Sequence, residues 1–282
     1  MITEGRAKAP ATTSPAVPPS RGRSLAVVIR NGLHLHRRDP LIWGGTLGAT
    51  CALIAAMWPS IEESIGKAVE SYPEALKQAF GVQELDSVEK YVDVEMLSLI
   101  VPLALAFFAV RCATRAIVGA EERGHLDALL SLPLSRRVLV AGSFTVTGLI
   151  LAAILVVIWL VTWSVGTAAG TDISASVLAA GLANVWPLSM AFAGLAVLLA
   201  GVLHRQAIVV AIASGTLVAM YVIDLLGKIS PDLEPLRAVS AFRYYGSAVQ
   251  DGLDVSHVLG LVVVAIATTA IGAALFARRD VL

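Results

Sequence analysis

Glu121, Glu122 and His125 stand three and four residues apart, so one face of a helix would gather two carboxylates and an imidazole, a donor set that a divalent metal could use. A solvated charged face accounts for the pattern better, because the neighbouring residues complete an amphipathic helix. Leu126, Leu129 and Leu130 fall on one side, and Glu121, Glu122, Arg123 and Asp127 on the other. Gly124 tolerates the backbone angles of a bend, Pro133 stops a helix, and Ser135 is a candidate N-cap for whatever follows. Other chemistry is missing from the chain. It has no Gly-x-x-x-x-Gly-Lys-Ser/Thr loop to cradle phosphates, no His-Glu-x-x-His and no Gly-x-Ser-x-Gly. His34 and His36 suit a headgroup region, and His204-Arg205-Gln206 a tight turn. The helix at 120–133 therefore reads either as a plain surface helix or as an element through which a partner pushes on its neighbours.

Those neighbours are long apolar runs. The 282-residue chain is 57% hydrophobic and 15% charged, with a mean hydropathy of +0.78, whereas soluble domains carry about 25% charged residues. A bilayer-crossing helix needs about 20 apolar residues, and six blocks qualify or nearly do: 41–58, 96–118, 138–165, 177–203, 207–223 and 258–277. The fourth holds Asn184 and Trp186-Pro187, which predict a kink, and the fifth is short and runs into Asp224. The fold class is an all-α membrane protein with six transmembrane helices. No acidic or basic residue falls near the middle of a block. Ion-coupled carriers keep such groups despite their cost, so secondary transport is disfavoured.

Numbering the segments between blocks alternately splits lysine and arginine fifteen to six in favour of the side that holds both termini. The positive-inside rule makes that side cytoplasmic. Residues 1–20, rich in Ala, Pro, Thr and Ser, have no apolar core for a signal peptide and read as a disordered tail; 21–282 form the membrane domain. Residues 21–39 predict an amphipathic interfacial helix, with Leu25, Val28, Ile29 and Leu33 opposite Arg23, Arg30 and Arg37; an ordinary basic juxtamembrane segment is the alternative. Segment 59–95 suits a helical cap outside the membrane or a loose acidic loop. In 224–257, the Phe242-Arg243-Tyr244-Tyr245-Gly246 cluster suits short helices that dip back into the interface. Cys51 and Cys112 lie at different depths and read as small apolar residues.

The loop order acid-acid-x-Gly-x-Leu-acid-x-Leu-Leu-x-x-Pro-x-Ser-Arg resembles the cytosolic loop of type-2 ABC export permeases. There it forms the coupling helix that docks in a groove of the ATPase subunit. It falls here on Glu121, Glu122, Gly124, Leu126, Asp127, Leu129, Leu130, Pro133, Ser135 and Arg136. Two positions depart: His125 where the family often has Thr, and Ser143 after Gly142 where it often has Lys. The similarity extends to the amphipathic N-terminal helix, the six spans, the Pro73-Glu74-Ala75-Leu76 and Phe80-Gly81 segment, Phe242-Arg243-Tyr244-Tyr245, and Phe276-Ala277-Arg278-Arg279-Asp280.

The resemblance implies a permease subunit in a bacterial cell membrane, surrounded by lipid and paired with a second permease, identical or related, and two ABC ATPase subunits. No cofactor is expected on this chain; ATP and Mg belong to the partner, and nothing suggests nucleic acid. Family members mostly export, and a charge-free apolar route suits a hydrophobic or amphipathic substrate such as a drug, antibiotic or lipid. By carry-over the second and fifth spans line that route, which makes Phe107, Phe108, Met220 and Tyr221 candidate substrate contacts, with core packing or lipid exposure as the alternative for each. Two other readings stay open: a permease for assembly or maturation of an envelope component, and a noncatalytic membrane scaffold. Topology is checked with Cys51 and Cys112 replaced by alanine. A cysteine at Ser64 should react with an impermeant thiol reagent in intact cells and one at Ser131 should not; labelling at Ser131 alone would invert the orientation.

Overall fold

The computed structural model describes residues 21–70, 86–122 and 135–278, and every regular element among them is helical. In order these are α1 (Arg21–Leu35), α2 (Asp39–Glu70), α3 (Val88–Val92), a π-helical turn (Asp93–Leu97), α4 (Ile100–Glu122), α5 (Arg136–Ala168), α6 (Ala175–Ala200), α7 (Gln206–Ile229), a 3-10 segment (Pro231–Val239), the short α8 (Ala241–Tyr245) and α9 (Val255–Arg278). Six of them, α2, α4, α5, α6, α7 and α9, are long and apolar enough to cross a membrane. In hydrocarbon the backbone must bond within itself, which is why the apolar blocks are all helix.

Helix ends differ from the apolar blocks. α2 does not stop at Trp58; it continues through Pro59 to Glu70. α6 stays helical through Pro187. α7 runs past Asp224 to Ile229, because that carboxylate finds partners of its own. Glu121 and Glu122 are the last residues of α4, and the rest of the predicted 120–133 helix, like the tail at 1–20, lies outside the described residues. Ser135 does cap α5, its Oγ accepting from the Val138 amide at 3.3 Å.

α6 is the most enclosed span and packs on both α9 and α4, while α2 lies along α5. Its contact with α9 is backbone on backbone. A Cβ built at Gly272 would stand 2.6 Å from the Val197 carbonyl oxygen, and one at Gly194 2.6 Å from that of Ala265. Small residues allow this approach, and van der Waals packing replaces the hydrophobic drive that lipid removes.

α1 lies across α5 two turns from its start. A Cβ at Gly142 would meet Val28 at 2.6 Å, and one at Gly32 would meet Val146 at 2.7 Å. Leu33, expected on the apolar stripe, is exposed; Gly32 takes the contact. After α1 the chain turns at His36, whose Nδ1 is 2.6 Å from Asp39 and whose Nε2 is 4.0 Å from Cys112 Sγ. Arg111 falls midway along α4, where the sequence blocks implied no mid-span charge. Its neighbour Cys112 nevertheless stands level with the turn that precedes α2, so Arg111 and Arg115, both exposed, belong to the end of the bundle where α1 lies. That end carries most of the arginines and is the basic end below.

Gly272→Ala should overpack the α6–α9 contact and cost about 1–3 kcal/mol. Gly260→Ala on the exposed face of α9, where a Cβ meets nothing within 4 Å, should leave stability unchanged or slightly raised. Thermal unfolding of the two detergent-purified variants checks the pair.

Candidate substrate cavity and loop-bearing face

At the end opposite the arginines the chain folds back into the bundle. Ser240 Oγ donates to the Met220 carbonyl at 2.7 Å, nine residues before α7 ends, roughly 14 Å of helix. Ser240 also caps α8, which presses Phe242 edge-on to Tyr221 at 5.3 Å between ring centres. Tyr245 is buried; its hydroxyl donates to the Leu97 carbonyl at 2.9 Å and its carbonyl accepts from Asn184 Nδ2 at 2.6 Å. Asn184, expected to interrupt α6, is instead the residue that anchors α8. Gly246 then reverses the chain with φ 55°, a region that disfavours side chains.

This re-entrant segment roofs a cavity of about 690 Å³ between the π-turn that precedes α4, α6, the last turns of α7 and the start of α9. Two buried carboxylates line it. Asp224 accepts from Arg237 Nε at 2.9 Å and pairs with Lys228 Nζ at 3.0 Å. A buried charge is tolerable when so compensated. Asp93, on the π-turn, is only 4% exposed and has neutral donors: Ser247 Oγ at 2.7 Å and Gln250 Nε2 at 3.0 Å, both to Oδ2. Burial pushes its carboxyl above the ordinary range, the two hydrogen bonds draw it back, and the charges of Asp251 and Lys228 add a rise and a fall respectively. A third buried acid, Glu89, takes the Ser174 amide and holds α3 to the start of α6.

The basic end carries the loop between α4 and α5. Glu122 Oε1 accepts from the Gln206 amide at 2.9 Å, placing a carboxylate at the N-terminus of α7, where the helix dipole favours one. Across the loop, Arg136 donates to the Phe276 carbonyl at 3.3 Å and lies 5.7 Å from its ring centre. Both ends of the loop are thus tied to helices other than the two it joins. Of the residues singled out in the sequence, Glu121, Glu122, Ser135 and Arg136 flank this loop. Gly124, Leu126, Asp127, Leu129, Leu130 and Pro133 lie outside the described residues.

The four route candidates do not form one surface. Phe108 is buried 5.4 Å from Trp43, and Phe107 is stacked under Arg111. Met220 is partly buried against the core, and only Tyr221 lines the cavity. Sequence reasoning missed Asp93, Ser247 and Gln250 as a group. The available signal was an acid set among Val92, Val94 and Met96, apolar neighbours that mark a buried turn.

Residues 30–277 match the family model described as "Multidrug efflux system permease Rv1217c, C-terminal domain". No curated protein matches the chain at a significant level. With six membrane-length helices and a match over most of its length, the chain belongs to this family of multidrug efflux permease domains and is a multi-pass membrane transport subunit.

Proposed function

We propose that the chain is the membrane subunit of an ATP-driven exporter of the type-2 ABC kind, energised by ATPase subunits on separate chains and paired with a second permease bundle. The observation that carries this reading is the loop at 123–134. It combines the acid-and-leucine motif with anchors on either side, Glu122 on α7 and Arg136 on α9. A helix seated there in an ATPase groove would move four spans at once: α4 and α5 through the chain itself, α7 and α9 through these side chains. The family model matched is itself a domain of a permease, which supports pairing of two such bundles. ATP and Mg are assigned to the partner, and both termini to the cytoplasm by the arginine distribution. The efflux family supports export, and a hydrophobic or amphipathic cargo is the class that charge-poor apolar spans suit.

In this reading Leu126, Leu129 and Leu130 seat the helix, while Glu121, Glu122 and Asp127 are polar contacts. A leucine buried in a groove contributes about 1.5–3 kcal/mol, and an exposed carboxylate pair about 0–1 kcal/mol. Leu129→Asp should therefore abolish co-purification with the ATPase while membrane insertion is retained. Asp127→Ala should weaken the association only a few-fold. The chain purified alone should neither bind nor hydrolyse ATP. Intact assembly in Leu129→Asp would return the helix to the membrane surface, whereas failure of the unaltered chain to co-purify any ATPase would favour the scaffold reading.

A further inference from the structure

We propose that the cavity roofed by α8 binds a single organic cation with aromatic or apolar substituents, its charge seated against Asp93. The proposal deepens the efflux reading by naming the chemical class of substrate. Asp93 is the starting point. It is buried on the cavity wall, its Oδ2 is held by two neutral donors, and its Oδ1 receives no hydrogen bond among the described residues. No Lys or Arg stands within ion-pairing distance of it among those residues. The other buried acid of the cavity, Asp224, already holds Lys228 and Arg237, so these two cations are committed. Arg243 also borders the cavity but is exposed, and its charge stays with water.

A buried carboxylate without a directly paired cation is costly. Lys228 acts on Asp93 only from a distance, while its ion pair is with Asp224, and burial has moved the Asp93 carboxyl upward. A cationic guest removes that cost. The rest of the wall fits such a guest. Tyr221, Phe242 and Tyr245 line the same cavity as Asp93 and form edge-to-face pairs with one another, and aromatic rings of this kind attract cations. The volume of about 690 Å³ falls within the roughly 300–1,000 Å³ typical of small-molecule sites. A metal ion is the poorer occupant, since no three His, Cys, Asp or Glu side chains converge among the described residues.

The test uses the full chain in uncharged detergent without any ATPase, and two probes of the same shape and opposite charge, tetraphenylphosphonium and tetraphenylborate. Equilibrium dialysis should show one saturable phosphonium site per chain and at least tenfold weaker binding of the borate. Asp93→Asn should lower phosphonium affinity at least tenfold, while Asp232→Asn, on the exposed 3-10 segment, leaves it unchanged. Equal binding of the two ions, or wild-type affinity in Asp93→Asn, overturns the proposal. Should that variant melt before the measurement, Tyr221→Ala is read instead, with the same tenfold loss expected and its absence decisive against the site. Because no ATPase is present, the result is independent of the exporter assignment. Cation binding without ATPase association would leave the site standing and remove the exporter reading, and the reverse outcome would do the opposite.

Discussion

The backbone-to-backbone contact of α6 with α9 is the constraint on which the rest of the bundle rests. Lipid offers apolar surfaces no reason to leave it, so helices in a membrane associate through close packing and polar bonds. Gly194 and Gly272 let two helix backbones touch, which fixes α6 at the centre, with α4 on its other side. Once α6 is fixed, Asn184 can reach the carbonyl of Tyr245, and the re-entrant segment has a floor to stand on. The cavity is therefore a by-product of a contact several turns away.

The two ends of the bundle are built by different physics. At the basic end, single polar bonds join helix termini: a carboxylate on an amide, a guanidinium on a carbonyl. Such bonds sit near water, are individually weak and can be remade, which suits a surface that receives a moving partner. At the far end the polar groups are buried and cross-linked, with Asp224 held by two cations and Asp93 by two neutral side chains. Partners lost there would leave buried charge uncompensated, so that end is held to one arrangement.

Much of the fold was legible in the sequence because hydropathy reports where lipid is. All six spans and α1 follow from apolar blocks and helical periodicity, and Ser135 from its position before the third block. Helix ends were not: α2 continues beyond Pro59, and α7 outlasts its apolar block because Asp224 finds partners of its own. The cavity was hidden for another reason. Asp93 meets Ser247 and Gln250, 154 and 157 residues along the chain, and no local spacing encodes such a meeting. Phe107 and Phe108 looked like a route because they are aromatic and adjacent, yet adjacency on a helix turns neighbours to different faces: one packs on Trp43, the other lies under Arg111.

The π-turn before α4 sets the rotational phase of everything upstream. The Ser98 amide reaches back five residues to the Asp93 carbonyl at 2.7 Å, not four. That is one residue more than an α-helix would use, and each residue advances a helix by about 100°. Removing one residue between 93 and 98 would restore a regular helix and swing α3 through that angle relative to α4. Glu89 would leave the Ser174 amide and the carboxylate of Asp93 would leave the cavity, although every apolar span kept its length. Here the count of residues, more than their identity, keeps the charge in place.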